Sequence, residues 1–158
     1  MDERSALYQV ERLLTAYARC LDQDRLEEWP ALFTDSCFYQ VISAANFDRG
    51  LPMGLIYADS KGMLRDRVVA LRQANIYEPQ RYRHLISSTV VLDASRPSAV
   101  QAESHFLVVR SMQAGPSEVF AVGRYCDVID LTGPKAQFRE KRVVLDNDQV
   151  DTLLAIPL

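Results

Sequence analysis

The chain is short of the residues from which redox and hydrolytic centres are usually built. Across 158 residues it carries two histidines, His84 and His105, and three cysteines, Cys20, Cys37 and Cys126. A Rieske cluster takes two cysteines and two histidines. No cysteine here has a histidine within a few residues, so that cluster is excluded from this chain. Both histidines with one carboxylate would make a facial triad for iron, but no His-x-x-x-His spacing on a helix supports one. Glycine-rich phosphate loops and nucleophile elbows are absent. No apolar run approaches the roughly 20 residues that cross a bilayer. Lysine is scarce too: Lys61, Lys135 and Lys141 are the only ones, and arginine supplies the rest of the positive charge. Arginine is the cation that tolerates planar, bidentate burial and is enriched at protein interfaces.

The charged residues balance at −3, which argues against a nucleic-acid partner. The three cysteines are odd in number, far apart and flanked by apolar or aromatic residues, so reduced core thiols are expected. Residues 1–158 suit one domain with an ordinary core. Met1-Asp2-Glu3-Arg4 begins an acidic, polar segment with no basic end and apolar stretch behind it, so a cytoplasmic protein is expected.

What the chain does have is punctuation. Arg96-Pro97-Ser98, Ala114-Gly115-Pro116-Ser117 and Thr132-Gly133-Pro134 are turn signals at nearly equal intervals. They predict long antiparallel strands at about Arg83–Leu92, Val100–Met112, Val119–Leu131 and Gln137–Asp146, in a sheet that must twist and curl. The first half reads as helical. Leu7, Val10, Leu14, Tyr17 and Leu21 recur at steps of three and four, predicting a helix from about Ser5 to Leu21. Asp24 is placed to cap a short second helix, with Glu27 three residues on and Trp29, Leu32 and Phe33 on its apolar side. Cys37–Ser43 reads as a strand. Asn46–Ala58 is an arm too apolar for a solvated loop, so it must lie on its own domain or on a neighbouring subunit. Asp59 or Ser60 can cap a third helix with Leu64, Val68 and Leu71 inward, ending near Tyr77–Pro79. Helices first and strands later make an α+β fold.

Two strands carry further information. Val100, Ala102, Ser104, Phe106 and Val108 share one face, and the other face turns apolar at Leu107 and Val109. In the last strand Arg139, Lys141 and Val143 share one face and Glu140, Arg142 and Val144 the other. Charge on both faces requires pairing across neighbouring strands, for example Arg124 with Glu140, or pairing with another chain.

Three functional readings compete. One is an autonomous dehydratase or isomerase with His84 or His105 as pocket base beside Asp35, Tyr39 or Tyr125. A second is a small-molecule binding module, which needs an empty apolar cavity. The third makes both histidines hydrogen-bonded surface or interface residues, because Arg81-Tyr82-Arg83-His84 gathers cations suited to a partner's carboxylates.

Gly50-Leu51-Pro52, Ile56-Tyr57, Asp59-Ser60, Gly62-Met63-Leu64, Asp66-Arg67-Val68, Leu71-Arg72, Ala74-Asn75-Ile76-Tyr77-Glu78 and Tyr82-Arg83-His84-Leu85-Ile86-Ser87 together resemble the small (beta) subunit of bacterial aromatic-ring-hydroxylating dioxygenases. The ending Asp151–Leu158 is similar to small subunits of oxygenases acting on aromatic carboxylates, of the terephthalate, salicylate, halobenzoate and anthranilate kinds. The resemblance implies a cystatin-like cone of the nuclear transport factor and scytalone dehydratase type, with N-terminal helices packed on a strongly curved, mostly antiparallel sheet. It implies a heterohexamer of three large and three small subunits, served by a separate NAD(P)H-dependent reductase. The large (alpha) subunit would carry the Rieske 2Fe–2S cluster and the mononuclear non-haem iron, and this chain neither metal nor catalytic residue. Candidate subunit contacts, chosen by their chemistry, are Arg81, Tyr82, Arg83 and His84, the arm residues Leu51, Met53, Ile56 and Tyr57, the last strand's Arg139 and Arg142, and the C-terminal tail.

Overall fold

A computed structural model describes residues 1–52, 54–74, 80–148 and 157–158. Met53, the expected end of the third helix near Tyr77–Pro79 and most of the C-terminal tail lie outside the described residues. Helix α1, Glu3–Asp22, starts where the Asp2 carboxylate accepts the Ser5 N–H. It buries Val10, Leu14, Tyr17 and Leu21 as the periodicity predicts, together with Ala6, Leu13 and Cys20. The second helix differs from expectation. It is a 3-10 segment, Leu26–Leu32, without a side-chain cap. Pro30 inside it has no N–H to sustain an α-helical ladder. Asp24 sits in the left-handed region at φ 58, and its carboxylate is held by Arg72 at 2.9 Å.

Strand β1 is longer than expected, Phe33–Ser43. The arm contains a short helix α2, Ala44–Asp48, and a strand β2, Ile56–Ala58. It lies on its own domain: β2 pairs antiparallel with β1, and Gln40 Nε2 donates to Pro52 O at 3.1 Å. Helix α3, Lys61–Gln73, is capped by Ser60, whose hydroxyl accepts the Met63 N–H. Leu64 and Val68 are buried and Leu71 half-buried.

The remaining strands are β3, Gln80–Asp93, β4, Val100–Met112, β5, Ser117–Asp130, and β6, Gln137–Leu145. The sheet order is β2-β1-β6-β5-β4-β3. Only β1 and β6 run parallel, and the other neighbours are antiparallel. Long strands of 13 and 14 residues, against a usual 5 to 6, curl around one hollow. Helix α1 and the 3-10 segment fill it with Tyr17, Leu21 and Trp29, which meet Phe33, Tyr39, Tyr125 and Phe138 from the sheet.

Register corrects the reading of β6. A bulge between Val128 and Ile129 slips the β5–β6 pairing by one residue. Phe138, Lys141, Val143 and Leu145 therefore point inward while Arg139 is exposed. Arg139 and Lys141 do not share a face.

Candidate functional site

The inner surface of the cone is a polar constellation set in an aromatic core. On β3 the side chains alternate, so Tyr82 and His84 enter the cone while Arg81 and Arg83 stand outside. The four residues do not form one cationic cluster. The His84 side chain has no exposed area. Asp22, the last residue of α1, accepts the His84 backbone N–H at 3.0 and 3.1 Å. The same carboxylate lies 2.6 Å from His84 Nδ1. In the tautomer that donates from Nδ1 to this carboxylate, Nε2 is the acceptor nitrogen. His84 Nε2 is buried without a partner. His105, on the opposite face of β4, is exposed and cannot serve a pocket.

Asp127 on β5 and Lys141 on β6 face each other in register. They pair at 3.2 and 3.3 Å, with both side chains out of reach of water. The ammonium lies 3.5 Å from the Tyr125 ring centre, 4.4 Å from that of Phe138 and 4.5 Å from that of Tyr17, a cage in which ring quadrupoles replace part of its lost hydration. Burial pushes Asp127 up to about 6 and Lys141 down to about 8, each opposed by its partner's charge. The pairing of charges across neighbouring strands is thus realised, with different partners. Arg124 on β5 reaches Glu103 on β4, and also Asp48 of α2, whereas Glu140 pairs with Arg142 along β6 itself at 2.5 Å.

Tyr17 and Tyr39 both donate their hydroxyls to the main-chain oxygen of Leu158, the second at 3.3 Å. Burial raises Tyr17 and Tyr125 well above the usual phenol range and pushes Tyr39 up to about 12. These phenols are donors at neutral pH. Asp35, cast earlier as a catalytic partner, is exposed outside the cone and pairs with Lys61. Trp29, Tyr17, Tyr39, Phe33, Phe138 and Leu158 fill the space that the binding-module reading required to be empty. The polar groups hold the core together: Asp22 ties α1 to β3, and Asp127 ties β5 to β6. Among the described residues, no three His, Cys, Asp or Glu side chains are grouped to share a metal ion. The three cysteines are free thiols, raised in pKa chiefly by burial.

The outer surface is of a different kind. Arm and last-strand candidates come together: Tyr57, Gln40 and Arg142 are aligned across β2, β1 and β6. The Phe38 ring lies between them, 5.3 Å from Tyr57 and 4.7 Å from the Arg142 guanidinium. Leu51 and Tyr57 are exposed and Ile56 is half-buried. Arg139 stands apart and donates to Ser98 O at 3.0 Å. Arg81 and Arg83 belong to the opposite edge of the sheet. Beside them lies a feature that the sequence reading touched only at Leu107 and Val109. Leu85, Leu107 and Val122 are aligned across β3, β4 and β5, and Arg83, Val109 and Val119 make the next row. Leu85, Val119 and Val122 are 53%, 63% and 40% exposed, a contiguous apolar strip of the sort that partners cover.

Comparison with known proteins gives this surface its context. Residues 16–152 match the family described as ring hydroxylating beta subunit. The chain is 39% identical to the anthranilate 1,2-dioxygenase small subunit of Burkholderia cepacia, over 99% of this chain and 97% of the relative. It is 41% identical to a beta subunit of the terminal oxygenase component of terephthalate 1,2-dioxygenase from Comamonas sp., over 95% and 97%. A crystal structure assigned as the beta subunit of an aromatic-ring-hydroxylating dioxygenase from Novosphingobium aromaticivorans superposes with a TM-score of 0.89, at 41% identity and 98% coverage of both chains. A structure assigned as a scytalone dehydratase from the same organism, at 17% identity and a TM-score of 0.68 over 90% of this chain and 85% of that one, shares the cone fold alone. The autonomous dehydratase or isomerase reading is therefore not favoured. Matched nearly end to end, and carrying its exposed apolar rows on a filled cone, the chain belongs to the ring hydroxylating beta subunit family and is a small subunit of an aromatic-ring-hydroxylating dioxygenase.

Proposed function

We propose that this subunit is a non-catalytic scaffold in an oxygenase acting on an aromatic carboxylate. The observation that carries the reading is the near-complete match at 39 to 41% identity to small subunits of anthranilate and terephthalate dioxygenases. A partner large subunit would hold the Rieske 2Fe–2S cluster and the mononuclear iron, fed by a separate NAD(P)H-dependent reductase in the cytoplasm. The small subunit would trimerise and hold three large subunits in register.

Two surfaces are proposed to make these contacts. One is the arm and its neighbours, Leu51, Met53, Ile56, Tyr57 and Arg142. The other is Arg81 and Arg83 with the strip Leu85, Leu107 and Val122. Tyr82 and His84, inside the cone, would support the second surface from beneath. Apolar rows edged by arginines suit a buried interface, where charge is depleted at the centre and arginine is retained.

Native mass spectrometry of the chain co-expressed with its large subunit tests this. The expected species contains equal numbers of the two chains, three of each. A large subunit that assembles and turns over at full rate without this chain would overturn it.

A further inference from the structure

The interior of the cone contains more hydrogen-bond donors than acceptors at one end. Tyr17 and Tyr39 converge their hydroxyls on the Leu158 main-chain oxygen. Trp29 Nε1 and the Tyr125 hydroxyl are buried without partners. The Trp29 ring stands 5.2 Å from that of Tyr39, and the Tyr125 ring 6.0 Å from that of Tyr17. Lys141 adds three N–H donors, and among the described residues Asp127 is its only hydrogen-bond acceptor. Ser104 Oγ, on the register partner of Tyr125, and His84 Nε2 are also unpartnered.

Buried polar groups are hydrogen-bonded as a rule. A buried end with several unsatisfied donors is completed by an oxygen acceptor, and here the chain supplies one itself. Leu158 is 1% exposed and belongs to the core cluster, its isobutyl group packed among the aromatic rings while its oxygen meets the phenols. The occupant thus has two parts, a small branched apolar body and an oxygen acceptor.

We propose that the Tyr17–Tyr39–Trp29 end of the cone is a binding site for small apolar carboxylates, and that Leu158 is its resident occupant. Two phenol donors converging on one spot are worth more to an anionic oxygen than to a neutral one, since charge-assisted hydrogen bonds are the stronger kind. Asp127 already balances the Lys141 charge, so these dipoles meet the ligand's charge. The tail competes from within the same molecule at a high effective concentration, so a free ligand binds the full chain only weakly. Displacing Leu158 converts a filled core into an occupied pocket without a new fold.

The probe is 4-methylpentanoate, which is leucine without its amino group. A variant ending at Ile156, folded by circular dichroism, is titrated while the fluorescence of Trp29, the sole tryptophan, is followed. Saturable binding at least tenfold tighter than to the full chain is expected. Tyr39→Phe in the shortened chain should weaken it by about a further tenfold, the loss of one charge-assisted hydrogen bond. Absence of saturable binding by the folded variant overturns the proposal, as does equal affinity for the alcohol 4-methylpentan-1-ol. Should the shortened chain not fold, the full chain expressed with Leu158 as its last residue gives the test. Release of leucine by a carboxypeptidase is expected to be slow and to accelerate severalfold in excess 4-methylpentanoate. Release that does not respond to the probe overturns the proposal.

Discussion

Lys141 and Asp127 are the residues whose replacement should report most sharply on how the cone is built. Desolvating two charges costs several kcal/mol each, and only a complete pair repays it. Lys141→Met leaves Asp127 buried alone and should cost about 3–5 kcal/mol, whereas adding Asp127→Leu should recover most of the loss. Urea unfolding of the three proteins measures both. The pair also sets a pH profile. Burial holds the Asp127 proton on the folded chain up to about 6, above the unfolded value of about 4, so its contribution to stability falls as pH rises through that interval. Lys141 in the folded chain loses its proton at about 8, before the unfolded chain does at about 10.4, so its contribution rises with pH above about 8. Relative to the double variant, the wild type should be least stable between about pH 6 and 8, and a maximum there would contradict the assignment. Neither partner was identifiable from sequence. Strict alternation put Arg139 on the face of Lys141, and only the bulge beside Ile129 moves Arg139 outside. Nor does sequence spacing place Asp22, 62 positions from His84, against its ring.

At the scale of elements, two glycines fix how strands meet. A Cβ on Gly123 would lie 1.9 Å from Val144 O, which no side-chain adjustment relieves, so β5 and β6 would have to part. Gly123→Ala should cost more than the roughly 1–3 kcal/mol of an ordinary overpacked site and yield insoluble chain, read as loss of the soluble fraction and of its circular dichroism. A Cβ on Gly54 would lie 2.6 Å from Val41 O, where the arm meets the edge of β1. Gly54→Ala should leave the melting temperature within a few degrees and impair co-purification with the large subunit, because only the arm shifts. Unchanged co-purification would remove the arm from the proposed contact surface. The long elements were legible because they repeat. Helix α1 shows its stripe at 3.6 residues, and β4 alternates strictly, with Val100, Ala102, Ser104, Phe106 and Val108 all buried. The short ones were not. Leu26–Leu32 has the composition of an α-helix, and only Pro30 in its middle argues for the tighter 3-10 turn. Strand β2 is three residues inside an apolar arm, too brief for any period to show.

For the whole molecule, the family and the cone follow from residues spread along the chain, whereas the proposed contact surface depends on register that joins β3, β4 and β5. A charge in the middle of that strip should separate folding from assembly. Leu85→Glu is expected to keep the circular dichroism of the wild type, since the position faces outward, and to weaken association with neighbouring subunits by at least tenfold in sedimentation. The central claim is that oxygen chemistry belongs to the companion chain and that this one organises it. Iron analysis and oxygen uptake, measured on the purified small subunit alone and on its complex with the large subunit, test it most directly. The account predicts iron and turnover of an aromatic carboxylate in the complex, with neither in the small subunit by itself. Stoichiometric iron or oxygenation by the isolated small subunit would contradict it.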